Sequence, residues 1–169
     1  YITIDIDKIR IPFSWFGKKT KVAPIIWSRL GEVSNYIEPF AGSLSVLFNN
    51  PSVPKIETVN DLDCGLTNFW RDISHDVDAV AYYADNPVNE LDLHARHKWL
   101  CSVLTDDFRN KMDTDPDFFD SKMAGYWVYG QSISIGNNFL QSKGLKALPV
   151  LSSAGSGISG LTYNILDEF

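Results

Sequence analysis

The stretch from residue 35 to residue 73 constrains the fold most strongly, because short apolar strands alternate there with helical segments. The first strand stops at Pro39, and a turn of small residues, Ala-Gly-Ser, begins two residues later. Pro51 and Pro54 then break the chain before a second strand begins. The order strand, turn, helix, strand, helix is typical of a parallel sheet with crossover helices, and it predicts an α/β fold. We expect strands at residues 35–38 and 56–60 and helices at residues 43–50 and 66–73.

The remaining segments are predicted to be mainly helical. Residues 1–10 alternate isoleucine with polar residues, which indicates a strand or an extended arm. Residues 132–160 are rich in Gly, Ser and Asn and are expected to form a long loop, which in a compact domain is usually functional or mobile. Residues 113–116 are interpreted as a loop that leads into the last helix. Helices are expected at residues 21–30, 77–84, 88–104 and 116–128.

The helix at residues 88–104 is expected to be amphipathic. Its polar face is assigned Asp92, Ala95 and Lys98, and its apolar face Leu91, His94 and Leu100. His94 is therefore expected to pack against the protein, and His97 to lie at the surface. No third ligand is near this histidine pair and Asp92 in sequence, so no metal site is predicted.

Charge is distributed unevenly along the chain. The net charge is −6, which by itself argues against a nucleic-acid partner. Residues 121–166, however, contain three lysines and no acidic residue. This stretch could approach a phosphate backbone without repulsion. The alternative is a neutral Gly/Ser-rich loop that packs on the protein.

Cysteine content and hydropathy exclude some classes of protein. The two cysteines, Cys64 and Cys101, form no Cys-x-x-Cys motif. This argues against a disulfide scaffold or a zinc ribbon and fits a reducing, cytoplasmic compartment. No apolar run approaches the length needed to cross a bilayer, so no membrane partner is expected.

The turn after the first strand is the first candidate binding site. A strand, a Gly-containing turn and a helix place backbone N–H groups where a ligand can approach closely. Asp61 lies at the end of the next strand, where an acid can bond the ribose hydroxyls of a nucleoside cofactor. Leu44 replaces the second glycine of a Gly-x-Gly, so a dinucleotide fingerprint is not satisfied. The alternative is a tight turn followed by a helix-capping Asp.

A second candidate segment lies upstream, at residues 15–19, with the sequence Trp-Phe-Gly-Lys-Lys. An exposed aromatic pair beside glycine and basic residues can stack on a base and engage a carboxylate. The alternative is a pair of core aromatic residues beside a solvated basic turn. Both segments in this order are much less expected by chance than either alone.

These segments together resemble the Dam-type DNA adenine-N6 methyltransferases, especially their phage-encoded members. In that family an aromatic-x-Gly-Gly-Lys segment comes first, a Glu-Pro-Phe-x-Gly turn follows, and an acid comes after the next strand. This chain has Lys18 where the family usually has a second glycine. The likeness covers most of the chain. The matching segments are residues 15–19, Glu-Pro-Phe-Ala-Gly at 38–42 and Asn-Asp-Leu-Asp at 60–63, with further likeness at 68–71, 92–97 and 125–130.

The resemblance implies an S-adenosylmethionine cofactor, double-stranded DNA as the partner, and flipping of the target base out of the duplex. It implies an incomplete Rossmann-like methyltransferase domain with a mainly helical insertion. Residues 1–75 would be the cofactor-binding part, and residues 76–169 the target-recognition region. The implied cofactor-binding residues are Trp15, Phe16, Gly17, Lys19, Glu38, Pro39, Phe40, Ala41, Gly42, Asp61 and Leu62. The candidate DNA-binding residues, in the acid-free stretch, are Lys122, Tyr126, Lys143 and Lys146.

Among these implied cofactor residues, the roles differ. Phe40, Ala41 and Gly42 would line the methionine and ribose end of the cofactor. Asp61 would bind the ribose hydroxyls, and Leu62 would lie beside the adenine. Trp15 and Lys19 would close the site from the N-terminal side, with Lys19 near the cofactor carboxylate.

The family's catalytic segment, an Asp-Pro-Pro-Tyr-like loop, does not occur in these 169 residues, which contain no Pro-Pro. We therefore expect a truncated product or fragment that is inactive by itself. An incomplete sheet would also expose an edge, which permits self-association. Two other functions stay open. One is a non-catalytic module that binds cofactor or DNA, and the other is a nucleotide-binding oxidoreductase, against which Leu44 argues.

Overall fold

The computed structural model describes residues 11–13, 15, 17–52, 54–134, 140 and 149, and the chain divides into two compact units. Of the described residues, the first unit contains Ile11 and those from Trp15 to Leu62, and the second contains Pro12, Phe13 and those from Asp63 onward. The predicted strand at residues 1–10, most of the predicted loop at 132–160, and the candidate site residues Phe16, Lys143 and Lys146 lie outside the described residues.

The first unit contains a two-stranded parallel sheet, as the sequence predicts. Strand β1 spans Asn35–Glu38 and strand β2 spans Ile56–Val59, with Asn35 opposite Ile56 and Glu38 opposite Val59. The pairing continues past the strands, because the N–H of Asn60 donates to the carbonyl of Glu38 over 3.0 Å. Helix α1, Ala23–Leu30, precedes the sheet and has proline in its first turn, where a missing N–H costs little.

The core of the first unit forms around Trp27. Its indole Nε1 donates a 2.7 Å hydrogen bond to the carbonyl of Val46. The Trp27 ring also lies 4.9 Å from the Tyr36 ring on β1. Ala23 completes this buried cluster. The packing therefore joins α1 and β1 to the segment that follows the Gly42 turn.

The prediction of a helix at residues 43–50 is wrong. The segment consists of turns that end in one short 3₁₀ helix, Leu47–Asn49. Gly42 and Leu44 both adopt a left-handed backbone, with φ of 51° and 56°, which interrupts any α-helix that begins there. The hydroxyls of Ser43 and Ser45 bond each other over 2.7 Å, which adds a local alternative to helical hydrogen bonding.

The second unit is a bundle of five helices among the described residues. Helix α6 is its centre and is buried along nearly its whole length, where it packs against α2, α3 and α4. Phe13 packs edge-on against Phe69 and Trp127, at ring distances of 5.2 and 5.0 Å. The helices are α2 at Cys64–Ile73, α3 at Val77–Ala84, α4 at Glu90–Val103, α5 at Asp106–Thr114 and α6 at Ser121–Ile133.

Two helix boundaries in this unit differ from the predictions. Residues 106–114 form α5, which the sequence analysis missed, so the first part of the expected loop at 113–116 is the end of a helix. The expected helix at 116–128 starts only at Ser121, because the Asp120 side chain accepts the Met123 N–H and caps it there. Arg71 fills the gap between them by donating to the carbonyls of Met112 and Phe118 over 3.0 and 3.1 Å.

The predicted faces of α4 are also wrong in part. The buried stripe is Leu93, His97 and Leu100, at spacings of four and three residues. Leu91 is 79% exposed. His97, expected at the surface, is buried, whereas His94 is half-buried with its Nε2 3.0 Å from the carbonyl of Pro149.

None of the described helices is both long enough and apolar enough to cross a bilayer.

Candidate functional site

The centre of the candidate site is the turn after β1, which is bonded to the residues after β2. The N–H of Ala41 donates to the carbonyl of Asn60 over 2.9 Å. The next N–H, that of Gly42, donates to Oδ2 of Asp61 over 2.8 Å. The carboxylate at the end of one parallel strand thus fixes the turn at the end of its neighbour.

Asp61 does not cap the helix that follows it. The cap of α2 is Asp63, whose Oδ1 accepts the N–H of Leu66 over 3.0 Å. The alternative interpretation, a tight turn with a helix-capping Asp, therefore applies to Asp63. The Asp61 carboxylate is directed instead toward the Gly42 turn.

The two candidate segments meet at Gly42. A Cβ placed on Gly42 would lie 2.5 Å from Nε1 of the Trp15 indole, which is far inside van der Waals contact. Gly42 is therefore required for two reasons, its φ of 51° and the close approach of Trp15. Trp15, the first residue of the aromatic segment, thus packs against the turn after β1.

Glu38 anchors the start of this turn. The hydroxyl of Tyr36 donates to Oε2 of Glu38 over 2.9 Å. Burial raises the pKa of Glu38, while hydrogen bonds from Tyr36 and the Leu47 backbone, and the positive charge of Lys19, act in the opposite direction. Burial and the neighbouring Glu38 raise the pKa of Tyr36. The carboxyl group therefore links β1 to the 3₁₀ turn beyond Gly42.

Large apolar side chains are exposed at the end of each strand. Phe40, after β1, is 79% exposed, and Leu62, after β2, is 91% exposed. Buried Ala41 lies between Phe40 and the Gly42 turn. Gly17 is exposed with φ of 75°, and Lys18, Lys19 and Pro39 are exposed as well. The carboxyl edge of the sheet thus presents apolar surface together with the Asp61 carboxylate.

The described candidate DNA-binding residues lie together on α6. Nζ of Lys122 is 4.4 Å from the centre of the Trp99 ring and 5.4 Å from that of Tyr126. Cζ of Arg96 is 5.0 Å from the Tyr126 ring. Arg96 and Trp99 were not among the predicted DNA-binding residues, because they lie outside the acid-free stretch at residues 121–166 from which those residues were chosen.

The two cysteines are both free and partly buried. Cys64 and Cys101 are free thiols, and burial raises the pKa of both. Sγ of Cys101 lies 3.7 Å from Nε2 of His97, one helical turn away. Within the described ranges, no group of three His, Cys, Asp or Glu residues is arranged to hold a metal ion.

Comparison with known families identifies the chain. A model of the D12 class N6 adenine-specific DNA methyltransferases matches residues 15–126, which is more than half of the sequence. The chain belongs to this family. No curated protein and no solved structure matches it.

The D12-class match includes the site described above. It begins at Trp15, covers the Gly42 turn and Asp61, and continues through Tyr126 of the helical unit. The resemblance to Dam-type enzymes is thereby confirmed. Membership in the family implies methyl transfer to adenine in DNA, and methyltransferases in general use S-adenosylmethionine. The mixed helix and strand structure is compatible with part of a methyltransferase fold.

Proposed function

We propose that the chain carries the cofactor-binding part and a portion of the DNA-binding part of an S-adenosylmethionine-dependent DNA adenine-N6 methyltransferase. In this proposal the sheet belongs to a Rossmann-like domain. Residues 1–75 form the cofactor-binding part, and residues 76–169 form the target-recognition region. The single observation that carries the proposal is the hydrogen bond from the Gly42 N–H to Asp61.

That bond matters because of where it lies. Ligands of open α/β sheets bind beyond the carboxyl ends of parallel strands. Gly42 follows β1 and Asp61 follows β2, so the bond joins the two segments that would surround such a ligand. An acid at the end of the second strand also matches the position from which carboxylates bind ribose hydroxyls in nucleoside cofactors.

The residues present fit the chemistry of the cofactor. S-adenosylmethionine has an apolar adenine face, a ribose with two hydroxyl donors and a charged methionine end. In the proposal, Leu62 packs beside the adenine and Asp61 accepts the ribose hydroxyls. Phe40, Ala41 and Gly42 line the methionine and ribose end. The high exposure of Phe40 and Leu62 supports these roles, because large apolar side chains rarely stay uncovered without a partner.

The N-terminal segment and the Glu38-Pro39 pair complete the proposed site. Trp15 contacts the Gly42 turn, so the segment at residues 15–19, including Phe16 and Gly17, would close the site from that side. Lys19 acts electrostatically on Glu38, and we assign it the cofactor carboxylate as well. Glu38 and Pro39 then hold the turn in place rather than contact the reacting atoms.

We further propose that these 169 residues do not transfer methyl groups by themselves. They contain no Asp-Pro-Pro-aromatic segment, which in the family holds the flipped adenine and its amino group. A flipped base needs such a pocket before its exocyclic nitrogen can reach the methyl group. Binding of cofactor and DNA would therefore proceed without turnover.

Calorimetric titration of the 169-residue chain with S-adenosylmethionine tests the proposal, with NAD as the competing ligand. The expected result is saturable binding of S-adenosylmethionine, none of NAD, and no labelled methyl group on duplex DNA. Binding of NAD alone would favour an oxidoreductase and contradict the proposal. Methyl transfer by this chain would contradict the proposal that the absent Asp-Pro-Pro-aromatic segment is needed for activity.

Self-association is a related proposal that rests on the sheet. Ile37, Ile56 and Val59 are exposed on its two strands. Among the described residues no third strand pairs with β1 or β2, and open strand edges template pairing with another chain. Sedimentation equilibrium over a tenfold range of concentration should show a mass above 19.0 kDa, and a constant monomer mass would contradict it.

A further inference from the structure

Two cations on neighbouring helices share one aromatic ring in the helical unit. Nζ of Lys122 lies 5.4 Å from the centre of the Tyr126 ring, and Cζ of Arg96 lies 5.0 Å from it. Lys122 also lies 4.4 Å from the Trp99 ring. We call Arg96, Trp99, Lys122 and Tyr126 the cationic aromatic surface.

The aromatic rings hold both cations in defined positions. Trp99 on α4 and Tyr126 on α6 contact each other edge to face at 5.3 Å. Arg96 also contacts a second ring, because its Cζ lies 4.5 Å from the centre of the buried Tyr129 ring. Charges fixed in this way lose little conformational freedom when they bind a ligand.

The positive charge on this surface is only partly balanced. Arg96, whose side chain is only 12% exposed, pairs with Asp92 at a long 3.7 Å. Within the part of the chain that the structure describes, no carboxylate lies within ion-pair distance of Lys122. A cation without a nearby counter-charge attracts an anion. The surface therefore favours an anionic ligand.

The geometry also limits what kind of contact a nucleic acid can make. Lys122 and Arg96 lie over the rings of Trp99 and Tyr126, so the cations cover ring surface on which a base would otherwise stack. Contact through phosphates is then favoured over stacking of unpaired bases. Phosphate contacts carry no sequence information directly.

We propose that the cationic aromatic surface binds the phosphodiester backbone of the DNA substrate. Lys122 neutralises a phosphate, and Trp99 and Tyr126 keep that lysine in position. The largely buried Arg96 adds positive charge next to the Tyr126 ring. The proposal rests on the proposed function, since it takes DNA as the substrate. It goes further by assigning Arg96 and Trp99 and by making this part of the binding independent of DNA sequence.

The test is the salt dependence of binding of the 169-residue chain to two labelled duplexes of unrelated sequence. Lys122→Gln removes one phosphate contact, so binding should weaken several-fold. The slope of log K against log salt is negative, and its magnitude should decrease by about one. Lys98→Gln is the matched control, because it removes an exposed lysine from α4 outside the surface. Its slope should stay that of the wild type.

A third variant tests the role of the rings. Trp99→Leu keeps both charges but removes one ring that positions Lys122. Weaker binding with an unchanged salt slope is the expected result, because the number of neutralised phosphates stays the same. Thermal unfolding of all three variants shows whether the fold is kept, and comparison is made only below each transition.

Several outcomes would overturn the proposal. Equal salt slopes for Lys122→Gln and Lys98→Gln would show that Lys122 does not contact a phosphate. A loss of affinity for only one of the two duplexes would indicate that Lys122 reads bases instead. If the chain binds S-adenosylmethionine but no duplex at any salt concentration, this surface is wrong while the cofactor proposal stands. If it binds duplex through Lys122 but no cofactor, the surface stands and the cofactor proposal is wrong.

Discussion

The backbone N–H of Gly42 donates a 2.8 Å hydrogen bond to Oδ2 of Asp61. This bond crosses from the turn after β1 to the segment after β2, so it fixes the geometry of the candidate cofactor site. The same carboxylate is the proposed acceptor for the ribose hydroxyls. Substitution of Asp61 should therefore change both stability and cofactor binding, and suitable variants can separate the two effects.

Asp61→Ala removes the acceptor, and we expect it to lower the free energy of unfolding by about 1–3 kcal/mol because the Gly42 N–H loses a charged partner. Asp61→Asn keeps a carbonyl oxygen that can accept the same hydrogen bond, so it should be closer to the wild type in stability. Both should bind S-adenosylmethionine more weakly. Urea unfolding and calorimetry measure these quantities, and equal stabilities for Asp61→Ala and wild type would contradict the role of the bond.

Gly42→Ala should be strongly destabilising. The new Cβ would lie 2.5 Å from the Trp15 indole, and the backbone is left-handed. Together the overlap and the left-handed φ should lower the free energy of unfolding by about 2–4 kcal/mol. Gly17→Ala is the matched control, because Gly17 has φ of 75° but open space around it. It should lose only about 1–2 kcal/mol. Equal losses for the two variants would show that Trp15 does not pack there.

The left-handed backbone at Leu44 can be tested by comparing the stabilities of Leu44→Gly and Leu44→Ala. Glycine is usually less stable than alanine at a given position, by roughly 0.5–1 kcal/mol, because it loses more backbone freedom on folding. At Leu44, with φ of 56°, the left-handed backbone favours glycine by roughly 1–2 kcal/mol. Both Leu44→Gly and Leu44→Ala remove the buried side chain, so that loss cancels largely in the comparison. Leu44→Gly should therefore unfold at higher urea than Leu44→Ala, and the reverse order would contradict the left-handed backbone.

The departure of this turn from its prediction has a physical cause that the sequence hides. Composition and spacing favour a helix at residues 43–50, because Leu, Val and Phe recur there. The left-handed conformation of Leu44 depends on packing in the folded unit, and no local pattern indicates it. Leucine in place of the second Gly-x-Gly glycine fails the dinucleotide fingerprint, yet Leu44 adopts a backbone that glycine adopts most readily.

Elsewhere, strand and helix bounds were predicted correctly where residues next to those bounds determine them. The two strands and helices α2 and α3 lie within two residues of their predicted bounds, because proline breaks and capping aspartates delimit them. Helix α5 was missed, although Thr105 followed by two acidic residues is a recognisable helix start. The face of α4 was misassigned, because periodicity alone does not show which neighbours bury His97 instead of His94.

Asp72 should make stability depend on pH. Burial raises the pKa of Asp72 from its ordinary 3.8 to about 6, and the hydrogen bond from Ser121 only partly opposes this. The native state therefore holds the proton more tightly than the unfolded chain. This contribution to stability is present below about pH 4 and is lost as the pH rises through about 6.

The matching variant is Asp72→Asn, which cannot ionise but can keep a bond to Ser121. Relative to this variant, the wild type should become progressively less stable between about pH 4 and pH 6. Asp78→Asn removes an exposed carboxylate from α3 and controls for the change in net charge. Thermal melts at half-unit pH intervals measure the trend, and parallel curves for wild type and Asp72→Asn would contradict it.

The most direct test of the central claim is a titration of the ¹⁵N-labelled chain with S-adenosylmethionine, followed by amide chemical shifts. The cofactor site described here predicts saturable shifts concentrated at Gly42, Asp61 and Leu62, with much smaller changes in α4 and α6. An absence of shifts, or shifts confined to the helical unit, would contradict a cofactor site at the carboxyl ends of β1 and β2.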